Sequence, residues 1–186
     1  TKGANHDSDD ADGGLRIDQP EWDMRNEFTP VFEDYGVDVV YSGHSHSYER
    51  SYYLRGHTGT SDTFSPDEHA ELNADGDAAL GYGNETYDQL SPTSGGVDDR
   101  VVYTVAGNSG KADDDSGLGG VTSPEEWLRH AAHVPQPADS GCGGPDGCRN
   151  GLAVRGSVVV DASATQLTAK LVGVDGTVLD QFTIKR

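Results

Sequence analysis

Val37-Asp38-Val39-Val40-Tyr41-Ser42-Gly43-His44-Ser45-His46-Ser47-Tyr48-Glu49-Arg50-Ser51 is the stretch on which the reading of this 186-residue chain turns. Its first five residues form a short, β-branched apolar run that Ser42-Gly43 breaks. That is the pattern of a buried strand opening into a loop at its C-terminal edge. In a locally extended backbone, residues two apart point the same way, so His44 and His46 are expected to present both imidazoles to one spot. Two neutral imidazoles at a strand end suit a borderline divalent or trivalent metal. A bare His-x-His is a weak signal, with two polar loop histidines as the common alternative. The flanking residues give this one its weight.

Working outward, Asp18-Gln19-Pro20-Glu21 has the form of an acidic helix cap with proline in the first turn. Met24, Phe28, Val31, Phe32 and Tyr35 follow at helical spacing, Gly36 stops the helix, and Pro30 within it should kink it. Helix and strand together make an αβ unit that feeds the histidine loop. Downstream, 101–106 reads as a buried strand, and Ser123-Pro124-Glu125-Glu126 caps a short helix reaching about Ala132. Strands are expected at 157–161, 167–172 and 178–184, the last two joined by the tight-turn signal Asp175-Gly176. Leu167, Ala169 and Leu171 alternate with Thr168, Lys170 and Val172, which buries one face. Residues 56–99 and 112–150 are rich in Gly, Asp, Ser, Thr and Pro and read as loop insertions. His130 and His133, three apart on the expected helix, read as a solvated face, while His57 and His69 carry no signal.

The 37–51 window closely resembles the last metal-binding motif of the calcineurin-like metallophosphoesterases, and within them the purple acid phosphatase branch, where a GHxHxYER run follows a gVDvVxsG strand. Thr1-Lys2-Gly3-Ala4-Asn5-His6-Asp7-Ser8-Asp9 is similar to the loop after that branch's HxPxY motif. Val102-Tyr103-Thr104-Val105-Ala106-Gly107-Asn108-Ser109-Gly110-Lys111 is similar to its vYxvaGxsGk strand and loop, and 156–185 to its terminal hairpin. The resemblance is dense over 1–55 and 101–111, fair over 152–186, and absent over 56–99 and 112–150.

The resemblance implies an α/β fold, the C-terminal part of a four-layer α/β/β/α sandwich, with residues 1–186 forming the C-terminal portion of one such domain. It implies acid-phosphatase-like hydrolysis of phosphate monoesters at a two-metal centre, iron paired with zinc, manganese or a second iron. His44 would bind the exchangeable divalent ion and His46 the Fe³⁺. His6 would contact the phosphate and protonate the leaving alkoxide, an imidazole suiting that task at near-neutral pKa. Tyr48, Glu49 and Arg50 would hydrogen-bond the outer nitrogens of the ligating rings, and Asn108 and Ser109 would shape the margin of the site. The family's D-x-H, G-D-x-x-D or G-D-x-x-Y, and G-N-H-E motifs belong upstream of the segment seen here. Asp67-Glu68-His69, Gly76-Asp77 and Gly83-Asn84-Glu85 imitate them without a preceding strand and read as loop residues. The implied partners are a phosphate ester and the N-terminal half of the same enzyme, without which this chain should be inactive.

Composition narrows the alternatives. Thirty-two acidic residues face thirteen basic ones, only four of them lysine, for a formal charge of -19. Such a surface repels phosphate backbones and anionic lipid, which argues against nucleic-acid or membrane-surface partners. No run reaches the length of a transmembrane helix. Asp7-Ser8-Asp9-Asp10 and Asp113-Asp114-Asp115 are candidate Ca²⁺ loops, and a surface adapted to high salt reads the same composition equally well. The rival to the enzyme reading is a non-catalytic, acidic, cation-binding β-rich interaction module.

Cys142 and Cys148 flank five turn-forming residues, so the chain can reverse and close a disulfide. That pairing points to a secreted, periplasmic or cell-surface location. Intact-mass analysis of non-reduced protein should show no alkylatable thiol at either position. Two labelled cysteines would remove this argument for location.

Overall fold

The computed structural model describes residues 22–89, 100–112, 130–136 and 151–186. His6, the Asp18 cap, the aspartate clusters, the start of the 123–132 helix and the Cys142–Cys148 pair lie outside the described residues. Among those described, the strands are β1 (Val39–Ser42), β2 (Tyr48–Leu54), β3 (Tyr87–Asp88), β4 (Val101–Ala106), β5 (Gly156–Ala162), β6 (Gln166–Gly173) and β7 (Val178–Lys185). They form two mixed sheets, of order β1-β4-β2 and β3-β7-β6-β5. The α/β character is as expected, while the described elements do not make up a four-layer sandwich.

The helix before β1 carries the mark of Pro30. A proline has no N–H to give and crowds the carbonyl four residues back. The turn ahead of it, Met24–Phe28, is wound as a wider π-helix, and α1 (Thr29–Asp34) continues from there. Gly36, at φ 66°, ends it. Gly36 N–H bonds the Glu33 carbonyl at 3.1 Å and Val37 N–H that of Phe32 at 3.0 Å, the paired bonds of a Schellman stop. The apolar spacing identifies the helix but not its buried face. Thr29 and Glu33 are buried, whereas Met24, Phe28, Val31 and Tyr35 are exposed. The polar side docks because Glu33 Oε2 accepts the Gly56 N–H at 2.9 Å and the Tyr103 hydroxyl reaches the Thr29 carbonyl at 3.5 Å. No helix among the described residues is long and apolar enough to cross a membrane.

The second sheet follows the alternating pattern closely. β6 and β7 pair antiparallel, with Leu167 opposite Ile184 and Ala169 opposite Phe182. The turn between them has Gly176 at φ 85° and Thr177 N–H bonded to Asp175 Oδ1 at 2.9 Å. Segment 56–89 differs from its expectation as loop. It forms a helical turn at Ser61–Thr63, the short helix α2 (Pro66–His69), and β3, which pairs in parallel with β7 through Tyr87 and Ile184. Ala79 and Tyr87 enter the main core with Tyr53, Val102, Ala169, Phe182 and Ile184. Asp67–His69 is thus helical rather than loop.

β2 joins the two sheets. Its pairing with β4 shifts register between Arg50 and Tyr53, a bulge that adds one residue and reverses the side-chain phase beyond it. The Tyr103 N–H bonds the Ser51 hydroxyl at 2.9 Å across the break. Arg50, fully buried, grips Asp180 of β7 with Nε to Oδ2 at 2.8 Å and Nη2 to Oδ1 at 3.1 Å. Nη1 donates to the Leu80 carbonyl at 3.0 Å and the Tyr87 hydroxyl at 3.2 Å, and the guanidinium lies 5.1 Å from the Phe182 ring centroid. The Tyr48 hydroxyl donates to Asp180 Oδ2 at 2.8 Å. Burial by itself disfavours the charged guanidinium, yet the Asp180 carboxylate opposite holds its pKa above the ordinary arginine value. Burial, reinforced by Asp180, likewise raises Tyr48 well above the ordinary phenol value, so both stay protonated.

Two substitutions test this architecture. Asp180→Asn leaves a buried guanidinium without its counter-charge and should cost about 3–5 kcal/mol in urea unfolding, with an apolar replacement of both partners recovering much of it. Gly107→Ala should cost about 1–3 kcal/mol, because a Cβ there would stand 2.0 Å from the Ser45 carbonyl oxygen and 3.4 Å from the His44 nitrogen. Its unfolding midpoint unchanged from the parent would show that the 43–47 loop does not rest on residue 107.

Candidate functional site

β1 and β4 run parallel, so their C-terminal ends lie side by side at Ser42 and Val105. The chain leaving β1 must cross the end of β4 to enter β2, and residues 43–47 make that crossing. Gly107 is where it rests. The Gly107 N–H bonds the Ser47 carbonyl at 3.2 Å, and the absence of a side chain lets the Ser45 carbonyl settle against it. Crevices at the C-terminal ends of parallel strands are where open α/β sheets hold ligands. The strand thus delivers the histidine loop to the C-terminal edge of the β1–β4 pair.

The local backbone departs from the expected extended form. His44 has φ 74° and is the non-glycine residue with positive φ among those described. Ser45 N–H folds back on the Gly43 carbonyl at 3.1 Å. The relation between the two rings is therefore set by a turn and not by strand alternation. His44 is exposed, Ser45 buried and His46 half-buried. A left-handed non-glycine conformation costs roughly 1–3 kcal/mol and persists where its surroundings over-determine it, here through the contact with Gly107.

Tyr48 and Arg50 depart from the roles that the resemblance gave them. Their hydrogen bonds run to Asp180, Leu80 and Tyr87, so they anchor the strand behind the loop rather than the imidazoles in it. Glu49 does turn back to the loop: its Oε1 accepts the Ser47 hydroxyl at 2.8 Å, while Oε2 lies 3.1 Å from His133 Nδ1. Asn108 is fully buried and donates from Nδ2 to the Val154 carbonyl at 2.7 Å. Its Oδ1 has no hydrogen-bond partner among the described residues, an acceptor left open at the loop margin. Ser109 faces solvent. The Tyr41 hydroxyl, at the end of β1, is pushed up to about 12 by burial against the pull of Arg50, and stays neutral.

Among the described residues no three His, Cys, Asp or Glu side chains converge as a metal ion demands. Two imidazoles without a bridging carboxylate do not fit a two-metal centre. What the described residues of the histidine loop bring to such a centre is at most a pair of donors.

The structure also assembles four histidines that sequence reasoning set aside. Residues 130–133 form a turn, not a helix, and His133 pairs with Ser51 in a single bridge. His57 and His130 are buried, not solvated. Their rings and those of His69 and His133 are neighbours. The only hint in the sequence is that polar His57 and His69 flank the apolar Phe64, which packs on both.

No family model matches the chain. An uncharacterised protein of Mycobacterium tuberculosis, in each of two strains, CDC 1551 and H37Rv, is 54% identical over 43 residues; the match covers 23% of this chain and 8% of that protein. A purple acid phosphatase from yellow lupin seeds is similar in structure at a TM-score of 0.45 with 15% identity, over 86% of this chain and 19% of the lupin chain. This chain therefore spans a small fraction of the length of the proteins it matches.

Proposed function

We propose that this chain is the C-terminal portion of a metal-dependent phosphoesterase that hydrolyses phosphate monoesters in the manner of acid phosphatases. The observation that carries the reading is the position of His44-Ser45-His46: a motif of metal-binding type, held in a costly left-handed turn, at the C-terminal end of β1 beside the parallel strand β4. Strained backbone of this kind collects at functional sites.

In this reading His44 and His46 each give one imidazole to a neighbouring metal ion, and Asn108 closes the margin. The rest of the donor set comes from the N-terminal half of the same enzyme. His6 supplies a proton to the departing alkoxide. A two-metal pair completed by the N-terminal half would supply Lewis-acid chemistry to the phosphate. The excess of carboxylates keeps polyanions away and leaves small phosphate esters as the substrate class. A Cys142–Cys148 disulfide, if formed, would support a location outside the cytoplasm.

Residues 1–186 alone should turn over p-nitrophenyl phosphate at close to the uncatalysed rate with Fe, Zn or Mn added. A longer protein with the upstream half should be active and chelator-sensitive. In it, His44→Ala or His46→Ala should abolish most turnover, and His6→Ala should cost about 10²–10⁴-fold in kcat, the usual worth of a positioned proton donor. A longer protein that binds cations but hydrolyses no phosphate ester would leave the cation-binding module as the better reading.

A further inference from the structure

The second sheet ends in an open strand. In the order β3-β7-β6-β5, one outer strand, β3, is two residues long, while the other, β5, has seven. β5 pairs with β6 from Gly156 opposite Gly173 to Ala162 opposite Leu167 with no shift of register. Its sequence, Gly156-Ser157-Val158-Val159-Val160-Asp161-Ala162, holds neither proline nor lysine. With no bulge either, it lacks the usual devices that keep an outer strand from pairing further. Val159 and Val160 are 48% and 44% exposed.

Backbone parity fixes which groups face outward. In an antiparallel pair, alternate residues exchange hydrogen bonds with the neighbour, and those between turn both N–H and C=O away. Ser163 N–H bonds the Gln166 carbonyl at 2.8 Å, so the odd-numbered residues of β5 serve β6. The Gly156 N–H points the other way, to the Asn108 carbonyl at 3.4 Å, and closes the start of the outward row. Val158, Val160 and Ala162 follow with the same orientation, and no described residue bonds their outward groups. Each offers one donor and one acceptor.

We infer that β5 is a docking edge for a second copy of this chain, the two strands joining antiparallel about a two-fold axis at Val160. Val160 then faces Val160 of the second copy, and Val158 faces Ala162 on either side. Each of these pairs exchanges two hydrogen bonds, and apolar side chains meet apolar ones. An axis at Asp161 would set two carboxylates opposite each other, and one at Ala162 would carry the pairing into the bend at 163–165. An axis at Val158 or Val159 would call on the Gly156 N–H, already given to Asn108. Charge favours the Val160 axis too. Val159 lies opposite Lys170 of β6, and across the new junction it lies opposite Asp161 of the second copy. That lysine and that aspartate share one face at two strand spacings, about 9.6 Å, a gap the lysine stem spans by lying over Val159. The two-fold axis repeats the contact. With a formal charge of -19 each, two copies repel at a distance, so salt that screens the repulsion favours the pairing.

Sedimentation velocity of the 186-residue chain in about 1 M NaCl, where charges are screened within about 3 Å, tests this. The parent should pass from monomer to dimer as protein concentration rises. Val160→Pro removes an N–H that β6 does not use, a change an outer strand tolerates, and costs the junction two hydrogen bonds. Its dimer should be weaker by about ten-fold or more. Asp161→Lys sets a cation against Lys170 of the second copy and should also weaken the dimer, even though it lowers the net charge. Adding Lys170→Asp should restore it. A parent that stays monomeric throughout, or a dimer that neither single change weakens, would overturn the inference. If a variant does not fold, hydrogen exchange of the unaltered chain, read by NMR, decides. Protection at Val158, Val160 and Ala162 should rise with protein concentration while that of β7 stays constant. Protection there at every concentration would put a segment of the same chain on the edge, and none at any concentration would leave the edge to a different polypeptide; either result would overturn the pairing.

Discussion

A buried guanidinium between two sheets dictates much of the rest of this structure. Taking Arg50 out of water is unfavourable unless nearly every donor finds an acceptor, and the acceptors come from distant parts of the chain. Asp180 lies 130 residues away on β7, Leu80 lends a carbonyl from the segment after α2, and Tyr87 a hydroxyl from β3. Satisfying one side chain therefore requires β2, β3, β7 and the 79–81 segment to be in place together. The apolar core fills in around this pair, with Tyr53 and Tyr87 stacked at 5.0 Å beside it. Such a pair adds little net stability over a well-packed apolar substitute, but it leaves the sheets one relative position.

That requirement also explains what could and could not be read from the sequence. The β6–β7 hairpin was legible because one face of the sheet is wet, so its residues alternate, and because Asp175-Gly176 names its own turn. The strand at 101–106 was legible as a continuous apolar run. The helix over 24–35 was legible as a helix, whereas its docking through Thr29 and Glu33 depends on Gly56 and Tyr103, which no local pattern announces. Segment 56–89 looked like loop because its partners are remote: Tyr87 is a strand residue only when Ile184 lies next to it.

The candidate site was legible in part. The sequence located the histidine loop at a strand end, and the structure puts it beside the end of the parallel neighbour, at Gly107. The assignment of Tyr48 and Arg50 to the imidazoles failed for a physical reason: at full burial their polar groups are committed to Asp180 before they can serve the loop. Glu49 alone of the three turns toward it. Grouping His57, His69, His130 and His133 requires knowing that separate segments bridge to β2 at Ser51 and at Leu54, and nothing in residue spacing foretells that.

The extra residue in β2 at Ser51 acts as a phase inverter. Ahead of it, Tyr48 and Arg50 point toward the second sheet; beyond it, Tyr53 does so again, three positions on instead of two, while Tyr52 and Leu54 pack on the far side with Phe64 and Ala70. One strand thereby writes to two different interiors in turn. Pairing the same sequence in a regular ladder, without the bulge, would give a worse protein, since each side chain from Tyr52 onward would change sides.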